Sequence, residues 1–407
     1  MLSLSALSRL AFTPFLILLL CACGPGEVLD IPENKGITPP LRPDRIFPGK
    51  TWARAEVTDG SGRFAKLHEF LFTRTGDEVD RRGMRTDGVV VVHRGRIVYE
   101  AYGRGYHADM PHHAWSIAKA ATSALVGVGV RKEVLALDDE LARFYPGLGD
   151  NPRGRIKIRH LLFYGSGLEW NEGYEFFPLT SSILAMLYAT PAVDVERYIL
   201  SHEISGEPGA TVAYQGADPT LLMAVLKRAM SAGEYDDFPW RELFEPLGIT
   251  SAVFGRDGRG VYIGSTSLYI TPRDLARFGY LYLADGVWNG RRILPEGWVQ
   301  FSTALAPAYY TSDSLLVRLI GVGIGAQWWL NSGNPRAGGR QAWPAAPRDA
   351  FASTGHWGQR LIVIPSRDLV VVRFGDEKFG GFASNRFLEL VLDALPNEDA
   401  AEVEAES

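Results

Sequence analysis

The strongest pattern in the chain is a pair of β-branched runs around a turn. "DGVVVVHRGRIVYEAYGRGY", residues 87–106, places them on either side of "HRGR", a hairpin signal. From about 114 to 245 the apolar positions recur with a helical period, interrupted by long loops such as "GSGLEWNEGYEFFP". "SLYITPRDLARFGYLYLADGVWNG" then predicts a helix opened by Thr271 as N-cap with Pro272 at its first position. A second hairpin follows around "PSRD" in "QRLIVIPSRDLVVVRFG", and "FASNRFLELVLDAL" predicts an amphipathic closing helix. Strands thus come from both chain ends with helices between them. The expected class is α+β: an antiparallel sheet built from both ends and flanked by helices, with an inserted, mainly helical lobe at about 135–245. A cleft between sheet and lobe is the natural place for a site.

The chain ends change the picture little. Arg9 precedes "LAFTPFLILLLCAC", an apolar run too short to span a bilayer comfortably. It ends in Leu20–Cys23, which resembles the bacterial lipobox and predicts lipidation at Cys23. That makes 1–22 a lipoprotein signal peptide and places the protein in the cell envelope, held to a membrane by its lipid and facing the periplasm or the exterior. Cys21 and Cys23 are the chain's two cysteines, so the mature protein is expected to hold no structural disulfide. Residues 23–60, rich in Pro and Gly at their start, read as a flexible spacer; 61–395 form the domain, and 396–407 an acidic disordered tail. With 46% apolar and 22% charged residues the composition is globular, and a net charge of −5 without a basic stripe argues against a nucleic-acid partner.

Candidate chemistry sits in "HHAWSIAKAATSALVGVGV", residues 112–130, where Ser116 and Lys119 stand three apart at the mouth of an apolar helix. Residues i and i+3 share a helix face, so the two side chains can touch. The helix start offers unpaired N–H groups to a developing oxyanion. Burial disfavours an ammonium and so favours the neutral amine that a general base requires. On its own the tetrapeptide reads more readily as a cap plus a surface lysine.

Ser-x-x-Lys at the entry to an apolar helix resembles the first motif of the penicillin-recognising serine hydrolases. Over roughly 80–395 the sequence resembles the class C β-lactamase-like group, which includes β-lactamases, D-alanyl-D-alanine carboxypeptidases, esterases and 6-aminohexanoate-oligomer hydrolases. "RIKIRHLLFYGSGLEWNE" (155–172) is similar to the family's helix leading into a "SGL" loop. "TVAYQGADPTLLMAVLKRA" (211–229) places Tyr214 where the family has Tyr-x-Asn or Tyr-x-Ser/Gly, and "FASTGHWGQRLIVIP" (351–365) stands where Lys-Thr-Gly would. The resemblance implies Ser116 as nucleophile, Lys119 with Tyr214 as its proton partners, and the N–H groups of Ser116 and His356 as an oxyanion hole. Gly216, Thr354, Gly355, Trp357 and Trp170 are then expected to meet substrate, with Gly355 and Gly358 allowing close backbone approach.

Two positions depart from the β-lactamase pattern. Gly216 replaces the Asn of Tyr-x-Asn, and Ser353 replaces the Lys of the third motif. Both favour an ester or amide substrate over a β-lactam, although Arg360 could supply a cation. D,D-carboxypeptidase or β-lactamase action, and a non-catalytic cell-wall-binding lipoprotein, are the other readings. No cofactor is implied. His107, His112 and His113 invite a metal reading, but no H-E-x-x-H or Cys ligand set accompanies them, and none is expected.

Overall fold

The computed structural model describes residues 36–55, 62–75, 79–149, 151–175, 177–231, 233–312, 315–319, 321–378 and 381–396. The expected signal peptide 1–22, Cys21 and Cys23, residues 24–35 of the expected spacer and the expected acidic tail beyond 396 lie outside these residues.

The sheet has eight strands. They are β1 (Ala53–Arg54), β2 (Thr86–His93), β3 (Arg96–Tyr102), β4 (Gly323–Ile324), β5 (Trp329–Leu330), β6 (Phe351–Gly355), β7 (Gln359–Ile364) and β8 (Leu369–Gly375). Their order across the sheet is β1-β3-β2-β8-β7-β6-β5-β4. Both expected hairpins form. In the first, Arg94 and Gly95 take φ of 50° and 75°, the paired left-handed conformation that matches strand twist. The chain ends join where β2 pairs antiparallel with β8, with Val91 opposite Val371. All pairings in this sheet are antiparallel except that of β1 with β3.

Continuous β-branched runs in β2 and β8 follow from burial on both faces. Val90, Val92, Leu361, Val370 and Val372 face the larger core, shared with helices α2 (Ala118–Arg131), α3 (Ala217–Ala229) and α4 (Pro272–Leu283). Val89, Val91, Ile362 and Val371 face the other way, onto α1 (Ala65–Phe72) and α5 (Ser384–Asp393). Thr271 caps α4 by accepting from the Asp274 N–H. The inserted lobe between β3 and β4 holds the short helices from Leu141 to Leu247 and the long α3.

One boundary needs correction. Residues 36–55, expected as spacer, lie on the domain. The Ile37 N–H donates to Thr303 Oγ1 (2.7 Å), Arg45 pairs with Asp368 (2.8 Å), and the Tyr280 hydroxyl donates to the Ile46 carbonyl (2.9 Å). Trp52 is buried, and β1 adds an edge strand. Pro and Gly exclude regular structure here without excluding tertiary contact.

Candidate active site

Ser116 lies in a single 3₁₀ turn, Trp115–Ile117, that runs directly into the alanine-rich α2. One turn on, Lys119 is fully buried, its Nζ 3.0 Å from Ser116 Oγ and 3.2 Å from the Ser265 carbonyl oxygen. Thr220 on α3 steadies Ser265 through a 3.0 Å hydroxyl bond. Trp115 has φ of 50°, a strained value for a bulky residue. Its ring is held by His113 at 4.1 Å and by Trp357 and His356 at 5.1 and 5.2 Å.

A cavity of about 320 Å³ opens over Ser116, lined by Glu172, Tyr174, Tyr214, Trp329, Thr354–Gly358 and Arg360. Tyr214 presents its ring to Lys119, with Nζ 4.8 Å from the centroid. The same ring packs between Tyr164 (5.1 Å) and Trp329 (5.0 Å). Thr354 and Gly355 come in on β6. A Cβ at Gly355 would lie 2.4 Å from the Ala114 carbonyl oxygen, so the bare backbone lets this strand end close on the turn carrying Ser116.

The turn after β6 is tied down from behind. Gln359 Nε2 donates to the carbonyls of His356 (2.9 Å) and Gly375 (2.8 Å), while its Oε1 accepts from the Gly375 N–H (2.9 Å). Arg373, fully buried, donates to the Gly358 carbonyl (2.9 Å) and to Glu377 (2.6 Å). In front, the His356 ring stacks on Tyr174 at 4.5 Å. Burial pushes the His356 pKa down against the pull of Glu175. Burial raises Glu175, but the Trp357 and His356 donors outweigh it and leave that carboxyl below its ordinary value.

The sequence reading missed Glu172. Its Oε2 accepts from the Gly216 N–H (2.8 Å) and the Trp170 indole N–H (2.7 Å). Its Oε1, buried and without a hydrogen-bond partner, lies 3.8 Å from Lys119 Nζ. The only sequence signal was an acid in the loop following "SGL", and loop acids are usually solvated.

Two expected substrate contacts fall elsewhere. Trp170 stands behind Glu172, its ring against Tyr198 and His202, because its indole N–H is committed to the carboxylate. Gly216 turns its N–H to the same oxygen and does not line the cavity. Arg360 reaches the cavity rim opposite Thr354, with its guanidinium bonded to Ser384 Oγ (2.9 Å) and the Gln359 carbonyl (2.8 Å). Burial pushes its pKa down to about 10, and Arg373 adds to the effect. The histidines diverge: His112 Nε2 meets Asp87 at 2.6 Å, while His113 Nε2 meets the Thr266 carbonyl at 2.9 Å. Among the described residues no group of three or more His, Cys, Asp or Glu could hold a metal ion.

Comparison with known proteins agrees with this architecture. The family model described as Beta-lactamase matches residues 71–388. The 6-aminohexanoate-dimer hydrolase of Paenarthrobacter ureafaciens is 21% identical over 298 residues, 71% of this chain and 72% of that protein. A solved penicillin-binding protein homologue from Caulobacter crescentus superposes with a TM-score of 0.59 at 16% identity, covering 84% of this chain and 99% of the other. EstCE1, a hydrolase with promiscuous acyltransferase activity, gives 0.60 at 17%, covering 82% and 98%. At these identities the solved structures show the fold, which is β-lactamase/transpeptidase-like. By the match over most of its length, this chain belongs to the beta-lactamase family and has the fold of that family's hydrolases.

Proposed function

We propose that this protein is a serine hydrolase that cleaves an ester or amide through an acyl-enzyme on Ser116. The observation that carries the reading is the 3.0 Å contact between Lys119 Nζ and Ser116 Oγ at the floor of a cavity large enough for a small acyl substrate. In the scheme, Lys119 takes the Ser116 proton as the Oγ–carbon bond forms and the carbonyl π pair moves onto oxygen. The N–H groups of Ser116 and His356 receive that oxyanion. Tyr214, on the cavity wall, gives its proton to the leaving group as the scissile bond breaks; Lys119 Nζ, which at rest lies over the tyrosine ring, must turn to its hydroxyl to return one. Water then frees the acyl group by the reverse path. No metal or organic cofactor enters any step.

Gly216 and Ser353 support an ester or amide over a β-lactam, since neither offers the side chain that β-lactamases turn toward their substrate. The names of two relatives, a 6-aminohexanoate-dimer hydrolase and a hydrolase with acyltransferase activity, point the same way. Ser116→Ala is expected to abolish turnover of a chromogenic ester and labelling by a fluorophosphonate. Activity retained by that variant would overturn the scheme. Stable labelling by a fluorescent penicillin, or turnover of nitrocefin, would move the substrate to the peptidase or β-lactamase class.

A further inference from the structure

We propose that Glu172 is a positioning residue for Lys119, its free carboxylate oxygen balancing the ammonium that forms when Ser116 gives up its proton. The inference rests on the serine-hydrolase reading and deepens it.

A buried carboxylate oxygen without a partner is costly unless a counter-charge is near. Glu172 Oε1 is such an atom, and Lys119 Nζ stands 3.8 Å away. That distance is too long for a hydrogen bond and short enough for a strong Coulomb attraction in a buried site. Two donors, the Gly216 N–H and the Trp170 indole, occupy Oε2, so the carboxylate cannot turn away without losing both.

Counting hydrogens on Nζ supports the assignment. A neutral amine has one lone pair and two hydrogens. For that amine to act as base its lone pair must turn to Ser116 Oγ, 3.0 Å away, while one hydrogen serves the Ser265 carbonyl. Once the seryl proton has crossed to Nζ there are three hydrogens, and the added positive charge faces Glu172. The carboxylate takes no proton in this step. The arrangement of nucleophile, base and a third group orienting the base is the general logic of activated hydroxyls.

Gly216 is part of the same device. A Cβ there would lie 3.3 Å from Glu172 Oε2 and 2.6 Å from Ile183 Cδ1. A side chain at 216 would therefore displace the end of Ile183 and press on the carboxylate by a few tenths of an ångström.

Several other titratable groups face this wall. The Tyr214 ring lies over Nζ with Tyr164 behind it, and Tyr174 and Glu175 follow Glu172 on its own loop. Asp218 at the start of α3 is pushed up to about 7 by burial, against its Ser166 and Gln215 donors. Asp218→Asn is therefore the parent for the test, which removes that titration.

The test reads kcat/KM for 4-nitrophenyl acetate, and the rate of fluorophosphonate labelling of Ser116, against pH. In Glu172→Gln the acid limb of both profiles is expected to move to lower pH by about one unit or more, because the ammonium has lost its counter-charge. The plateau is expected to fall roughly tenfold or more. Glu172→Asp, which keeps the charge but draws it back by one methylene, should lie between Gln and the parent. It also serves as the test if the Gln variant does not fold. Acid limbs that coincide in all variants overturn the proposal and leave Glu172 as an anchor for Gly216. Activity surviving in Ser116→Ala would instead overturn the serine-hydrolase reading, whatever Glu172 does.

Discussion

Glu175 and His356 meet across the mouth of the cavity: His356 Nε2 and Glu175 Oε1 are 2.9 Å apart. The Trp357 indole N–H donates to the same oxygen at 3.0 Å, so one carboxylate holds its loop against both residues that follow Gly355. The site is partly open to water, and each bond is worth about 1 kcal/mol there. Glu175→Ala should raise KM for a small ester by roughly fivefold. It should also speed protease cleavage around Glu175. An unchanged KM would mean that this loop does not cover the substrate.

Restoring the β-lactamase-type side chain should not restore β-lactamase activity. In Gly216→Asn the new Cβ meets Ile183 and crowds Glu172. Overpacking of this kind costs about 1–3 kcal/mol of stability. Ester turnover is expected to fall and nitrocefin to remain uncleaved, with part of the stability regained in the double variant with Ile183→Ala. Nitrocefin turnover by the single variant would refute this account of the position.

The Arg373–Glu377 pair is fully buried and sits directly behind the turn that carries His356. Removing one member leaves the other charge uncompensated, at about 3–5 kcal/mol. Glu377→Gln should lower the urea midpoint by a corresponding amount and reduce ester turnover as the turn loosens. Arg373→Met with Glu377→Leu should lose less stability than Glu377→Gln, since no lone charge remains. An equal or larger loss in the double variant would contradict this.

Stability should fall on the acid side. Burial pushes both His113 and His160 down from 6.5 to about 4. Between those values the unfolded chain binds a proton that the folded chain does not. Stability is therefore full above about 6.5 and declines progressively as pH drops toward 4. Melting scans from pH 8 to 4 should show Tm falling by several degrees. His113→Phe should flatten that fall at the expense of the bond to Thr266. A Tm that is level down to pH 4 would exclude the linkage.

What could be read without coordinates was local. Both hairpins, the Thr271 cap and the closing helix depend on signals within a few residues, and each forms as expected. Ser116 and Lys119 were legible as a pair because one helical turn suffices to join them. Residues 36–55 were misread because the contacts that hold them, such as Ile37 to Thr303, span more than half the chain. Trp170 was assigned to the substrate because an aromatic beside a loop gives no sign of where its N–H is spent.

The amino-acid order by itself determined which segments become strand, turn or helix, and it set a hydroxyl and an amine on one helix face. Tertiary structure decided which groups surround that pair. Glu172, Tyr214 and Gly355 come from separate segments, and they meet only when β2 and β8 close the sheet and the lobe packs onto it. Backbone signals act over a few residues, whereas a buried charge finds its partner through the folded interior, whatever the separation along the chain.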